Sequence, residues 1–215
     1  MYIRYIIEFG LFQFFVLNIM ENKNLFMDYI YSKIQEPGKL DHREIYEEFM
    51  ELLLEQVPGT IITINSSCCW LSDLYIDYAT AETMAFHLSL QLHELEAQGL
   101  TLLFWRPQDI LVIENRLFLL ANLSQLVSLS EKNPAQLVLN YPKIYPFPAA
   151  CCAPELLKMA ELPFITHKSA SYYSLALLCL QMLNLSLDDL QGTKLFHFLE
   201  RCLREKDEER VLLYI

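Results

Sequence analysis

Glycine is scarce in this chain. The five glycines, Gly10, Gly38, Gly59, Gly99 and Gly192, stand far apart in 215 residues, so no glycine-rich loop exists to cradle a phosphate. Positive charge is also short: 16 Lys and Arg face 27 Asp and Glu, for a formal charge of −11. No stretch gathers the basic residues into a stripe that could track a phosphate backbone, which argues against nucleic acid as a partner. The six cysteines form two vicinal pairs, Cys68-Cys69 and Cys151-Cys152, and two singles, Cys179 and Cys202. None has Cys-x-x-Cys spacing, so no metal is expected, and buried reduced thiols in a cytoplasmic setting are. Hydrolase signatures are missing as well. Ser66-Ser67 and the histidines His42, His87, His93, His167 and His197 sit in neither Gly-x-Ser-x-Gly nor His-Glu-x-x-His strings.

What is present is apolar: 53% of residues are hydrophobic and the mean hydropathy is +0.22, enough for a real core and for some apolar surface that a partner would cover. Residues 1–20 are rich in aromatic and aliphatic side chains, but Glu8 and Gln13 interrupt them and no small-residue cleavage site follows. A strand or buried helix is expected there, with membrane contact as the lesser alternative.

The periodicity predicts an α+β chain. Asp41 and Glu44 have capping-box spacing before Ile45, Phe49, Leu52 and Leu53, predicting a helix over 42–56 that Pro58-Gly59 ends. TIITI at 60–64 and residues 70–78 are predicted to be extended. Thr80 is the expected N-cap of a helix carrying Met84, Leu88, Leu92 and Leu95 up to Gly99. DILVI at 109–113 and RLFLLANL at 116–123, parted by Glu114-Asn115, predict a β-hairpin. Residues 131–148, with Pro134, Pro142, Pro146 and Pro148, are expected to be a long irregular loop. A short helix after Pro154, an apolar one over 170–184 and an amphipathic one over 193–204 (Leu195, Phe198, Leu199, Cys202, Leu203) complete the chain. No internal repeat is visible.

That order of elements, with four local strings, resembles the helical lobe of a protein kinase. RPQDILV at 106–112 resembles the second half of a catalytic loop, and Ala153-Pro154-Glu155 the Ala-Pro-Glu that closes an activation segment. SYYSLALLCLQML at 171–183 resembles the helix that kinases begin with Asp-x-Trp-Ser-x-Gly. CLREKDEER at 202–210 resembles the last Leu-x-x-Asp-Pro-x-x-Arg, with Glu208 in place of the Pro. The resemblance covers residues 80–215 and reaches 1–79 only by position, implying a reduced N-lobe-like region (1–79) and a shortened, mostly helical C-lobe-like region (80–215). It also implies a structural ion pair between Glu155 and Arg210.

The chemistry that the resemblance would bring is absent. Leu102-Leu103-Phe104 stand where His-Arg-Asp belongs, so Phe104 holds the place of the base. Asn122-Leu123-Ser124 replace Asp-Phe-Gly, and an amide is a poorer magnesium ligand than a carboxylate. Asp109 fills the slot of the catalytic-loop Asn, where it either caps amides of its own loop or ligates a metal. Arg106 fills the slot of the Lys, as an anion ligand or an ion-paired Arg. No Val-Ala-x-Lys strand precedes them, the early lysines being Lys23, Lys33 and Lys39. The helix over 42–56 could present Glu44, Glu47, Glu48 or Glu51 to the cleft, or be an acidic solvated face.

The expected function is therefore that of a pseudokinase: a protein-binding or structural scaffold, with no cofactor, its cleft filled by side chains such as Phe104 and Trp105. Shortened chains of this kind resemble those of large cytoplasmic DNA viruses, which would make it a cytoplasmic or virion component. The alternatives are a kinase-fold enzyme or nucleotide binder with Asp109 and Asn122 on a metal, and a capsid-assembly or membrane-associated protein. The partner and the oligomeric state stay open.

Overall fold

The computed structural model describes residues 68–122, 125–140 and 147–210. The expectations for 1–20, 42–56 and 60–64 fall outside them. The described residues form a mixed α+β structure of four helices and small antiparallel sheets. In chain order these are β1 (Cys68–Trp70), α1 (Tyr78–Ala97), β2 (Leu100–Leu102), β3 (Ile110–Ile113), β4 (Leu117–Leu120), β5 (Leu126–Ser128), β6 (Gln136–Leu139), α2 (Pro154–Leu157), β7 (Phe164–His167), α3 (Ala170–Leu183) and α4 (Lys194–Cys202). Among the described residues no helix is long and apolar enough to cross a membrane.

The hairpin read from the sequence is β3–β4, in register from Ile110↔Leu120 to Ile113↔Leu117. Glu114 and Asn115 take left-handed φ angles of 52° and 55°, and the Arg116 N–H closes the turn on the Ile113 carbonyl at 3.0 Å. This is the mirror-image turn whose twist suits a hairpin. All eight strand residues are buried, because β1 pairs with β3 and α1 packs over β4. Gln91, fully buried on α1, donates to the Phe118 carbonyl (2.8 Å) and accepts from the Leu120 N–H (2.9 Å). Its side-chain amide thus does for two main-chain groups of β4 what another strand would.

Three sequence expectations need correction. The N-cap of α1 is Asp77, whose Oδ1 accepts the Thr80 N–H at 2.8 Å; Thr80 lies inside the first turn and supplies one of its orphan donors. The extended segment is Cys68–Trp70 rather than 70–78. Pairing runs out where partner β3 begins at Ile110, and Leu71–Asp73 turn into a 3₁₀ helix. The supposed loop over 131–148 contains β6, paired with β7 from Gln136↔His167 to Leu139↔Phe164. Pro134 precedes that strand without entering it, so it removes no ladder donor.

The predicted helices after Pro154, over 170–184 and over 193–204 correspond to α2, α3 and α4. Asn184 ends α3 with a left-handed φ of 52°, and Thr193 caps α4 by accepting the Phe196 N–H (3.1 Å). Two hydrophobic clusters result. The larger gathers α1, β3, β4, α3 and α4; the smaller holds Leu103, Phe104, Leu137, Phe147, Cys152 and Leu156.

Candidate functional site

The segment from Thr101 to Asp109 carries most of the positions singled out from the sequence, and two serines of α3 fix it. Ser171 and Ser174 lie three apart, hence on one face of the helix, and both are fully buried. Ser171 Oγ donates to the Leu102 carbonyl and shares a hydrogen bond with Thr101 Oγ1 (2.9 Å). The Ser171 carbonyl accepts the Trp105 indole N–H at 3.1 Å. Ser174 Oγ accepts the Trp105 backbone N–H (2.7 Å) and donates to the Cys151 carbonyl (2.5 Å). The sequence signal was there, two hydroxyls at i and i+3 in an otherwise apolar helix, but the apolar run concealed it.

Thus held, neighbouring side chains part. Trp105 enters the larger cluster and Phe104 the smaller, each 1% exposed. Phe104 packs edge-on against Phe147 with centroids 6.3 Å apart, and the Arg106 guanidinium lies 5.9 Å above its ring. The two aromatics are therefore core residues of different clusters rather than joint fillers of one cleft.

Arg106, Asp109 and Asn122 come together. Arg106 donates to Asp109 through Nε (2.6 Å) and Nη2 (2.8 Å), and Asn122 Nδ2 donates to Asp109 Oδ1 at 2.8 Å. The carboxylate, 4% exposed, is thereby met by a bidentate guanidinium and an amide. It does not cap amides of its own turn. That work falls to the Asp109 carbonyl, which accepts the N–H groups of Ala121 (2.8 Å) and Asn122 (3.3 Å) and so ties the turn to the strand end after β4. The donor set is a poor fit for magnesium: its one carboxylate is already balanced by a cation, and the neighbouring amide aims its nitrogen at it. Among the described residues no three metal-capable side chains converge.

Glu155 and Arg210 also meet, across 55 residues. Arg210 Nη1 lies 2.5 Å from Glu155 Oε1 and Nη2 lies 3.0 Å from Oε2. The same guanidinium donates to the carbonyls of Arg204 (2.8 Å) and Glu205 (3.2 Å) and stacks 4.7 Å from the Tyr173 ring. The Arg210 side chain is completely buried, so four described donor contacts and a ring face replace its hydration.

All six cysteines are unbridged. Burial raises the thiols of Cys68, Cys69 and Cys179 above their ordinary value and pushes Cys202 up to about 12, which keeps them protonated and poorly nucleophilic. Cys152 is raised too, by its contact with Cys151 and then by burial. His87 is buried and His93 exposed, the two faces that six-residue spacing on α1 implies.

The ion pair between Lys168 and Glu96 escaped the sequence reading. Lys168 Nζ reaches Glu96 Oε2 at 2.5 Å, joining the end of α1 to the turn between β7 and α3. Glu96 Oε1 is buried and lacks a hydrogen-bond partner, and burial, outweighing the Lys168 contact, raises the carboxyl above its ordinary range. Seventy-two residues separate the partners, so no local pattern announces them. A scan against models of known protein families finds no match for this chain, and a search of curated proteins finds no relative.

Proposed function

We propose that this chain is a catalytically inactive, protein-kinase-like scaffold that works by binding protein partners, a role suited to a component of a viral particle or of infected cytoplasm. The observation that carries the reading is the closed Arg106–Asp109–Asn122 cluster beside a Phe104 packed into the core. Phosphoryl transfer asks for a carboxylate that positions the substrate hydroxyl and for free carboxylate oxygens on magnesium. Here an aromatic ring stands in the first position, and the only carboxylate of the cluster is taken up by a cation. The Glu155–Arg210 pair, which the kinase resemblance implies, supports the same lineage as architecture without chemistry.

The test is thermal unfolding with and without ATP and magnesium. A ligand that binds only the folded state raises its stability by RT ln(1 + [L]/Kd), about 2.7 kcal/mol at a hundredfold excess over Kd. The expected result is an unchanged Tm at millimolar nucleotide. A rise of several degrees that Arg106→Ala or Asp109→Ala abolishes would overturn the reading in favour of a nucleotide binder.

A further inference from the structure

The fold treats its two vicinal cysteine pairs differently. Cys68 and Cys69 lie on β1, opposite Ile113 and Val112 of β3, and successive residues of a strand send their side chains to opposite faces. Those two thiols point apart. Cys151 and Cys152 lie instead in the turn that leads into α2, where their side chains meet.

The surroundings give these two sulfurs unlike chemistry. Cys151 Sγ lies 3.7 Å from the Pro148 carbonyl, and the Arg106 guanidinium is within electrostatic reach of it. Contact with Cys152, the largest influence, and the Arg106 charge together outweigh burial and the Asp109 charge, and hold the Cys151 thiol below its ordinary value. The same contact holds the proton on Cys152. One sulfur that readily becomes a thiolate thus sits against one kept as a thiol, the arrangement of an attacking and a resolving cysteine.

We propose that Cys151 and Cys152 form a peroxide-sensitive modification site that closes reversibly into a vicinal disulfide. The Cys151 thiolate attacks one oxygen of hydrogen peroxide, the O–O bond breaks and hydroxide leaves, so that the sulfur becomes a sulfenic acid and the peroxide is reduced. The Cys152 sulfur then displaces that hydroxyl, which leaves as water with the Cys152 proton as the S–S bond forms. Loss of the Cys151 thiolate removes the contact that held this proton in place. Across a trans peptide the Cα atoms stand about 3.8 Å apart, short of the roughly 4.4–6.8 Å of ordinary disulfides, so the bridge is strained and small thiols reopen it. Closing it also turns the peptide plane between the two residues, whose carbonyl accepts the Ser174 hydroxyl at 2.5 Å, and so loosens that tie. The site stands apart from the scaffold reading: it would survive a finding that the chain binds nucleotide.

The experiment exposes the reduced full chain to hydrogen peroxide at neutral pH, blocks the remaining thiols with maleimide in denaturant, and maps each cysteine by mass spectrometry. In wild type the peptide holding Cys151 and Cys152 is expected to lose two hydrogens and take up no maleimide. Dithiothreitol is expected to restore both thiols, and the oxidised chain to melt several degrees below the reduced one. Cys152→Ala is expected to stop at a sulfenic acid on Cys151 that dimedone traps, and Cys151→Ala to leave Cys152 reduced. Circular dichroism confirms that each variant is folded. The proposal is overturned if wild type forms no such bridge, or if Cys69, the more exposed thiol, is oxidised before Cys151. Oxidation of Cys152 at an undiminished rate in Cys151→Ala overturns it as well. An oxidised chain that melts together with the reduced one overturns the link to Ser174.

Discussion

Two arginine–carboxylate pairs of similar geometry do opposite things here. Arg106 and Asp109 are three residues apart and belong to one turn, so their pairing joins nothing distant; it balances a buried carboxylate within its own turn. Arg210 and Glu155 are 55 residues apart, and their pairing binds the segment after α4 to α2. Arg106 keeps 23% of its side-chain surface in water and Arg210 keeps none. The difference teaches that an ion pair's worth to the fold depends on where the surviving partner goes when the other is removed. A partly exposed arginine turns to solvent, whereas a buried one has no such route.

The comparison can be broken most sharply at Arg210. Arg210→Ala strands the Glu155 carboxylate and the Arg204 and Glu205 carbonyls, and is expected to cost about 3–5 kcal/mol, read as a large fall in Tm or loss of soluble protein. An unchanged melting curve would contradict the structural role of the pair. Next comes Ser174→Ala, which leaves the Trp105 N–H and the Cys151 carbonyl without their partner in a buried site, at an expected 1–3 kcal/mol or roughly that much in denaturant unfolding. Asp109→Asn should be milder, about 1–2 kcal/mol, because Arg106 can rehydrate while the main-chain bonds of residue 109 persist. If Asp109→Asn proved as damaging as Arg210→Ala, the local pair would have to be counted as architecture after all.

The smallest effect concerns Glu96. Its folded-state pKa is raised above the ordinary 4.5, chiefly by burial, so it contributes stability that is present below that value and is lost as pH rises through the higher folded one. Glu96→Gln removes this dependence. The Tm difference between variant and wild type is therefore expected to move in favour of wild type as pH falls from 7 toward about 4.5, and a difference constant over that window would contradict the assignment.

Much of this fold was legible because its signals are local. The β3–β4 hairpin announced itself through two apolar runs around Glu114-Asn115, and α1, α3 and α4 through periodicity, α1 also through Gly99 at its end. β6 and β7 did not, since four-residue strands whose partners are 25 or more residues away leave no period to read, and the prolines around β6 pointed to a loop. At the site, Arg106, Asp109 and Asn122 were named from a resemblance, but their mutual contacts came only with coordinates, because the spacing of 13 residues between Asp109 and Asn122 says nothing of direction. Thr101, Ser171 and Ser174 were passed over for the opposite reason: their neighbours are so apolar that the hydroxyls read as filler.

Ser174 has a consequence for how the molecule comes apart. Its hydroxyl oxygen sits between Trp105, a member of the larger hydrophobic cluster, and Cys151, a member of the smaller. Melting either cluster alone would pull one partner from that oxygen and leave a buried polar group bare in the other, so neither has a cheap partial exit. The expected outcome is that the two clusters unfold in a single cooperative step, which calorimetry would read as one heat-absorption peak with coincident loss of helix and of aromatic packing.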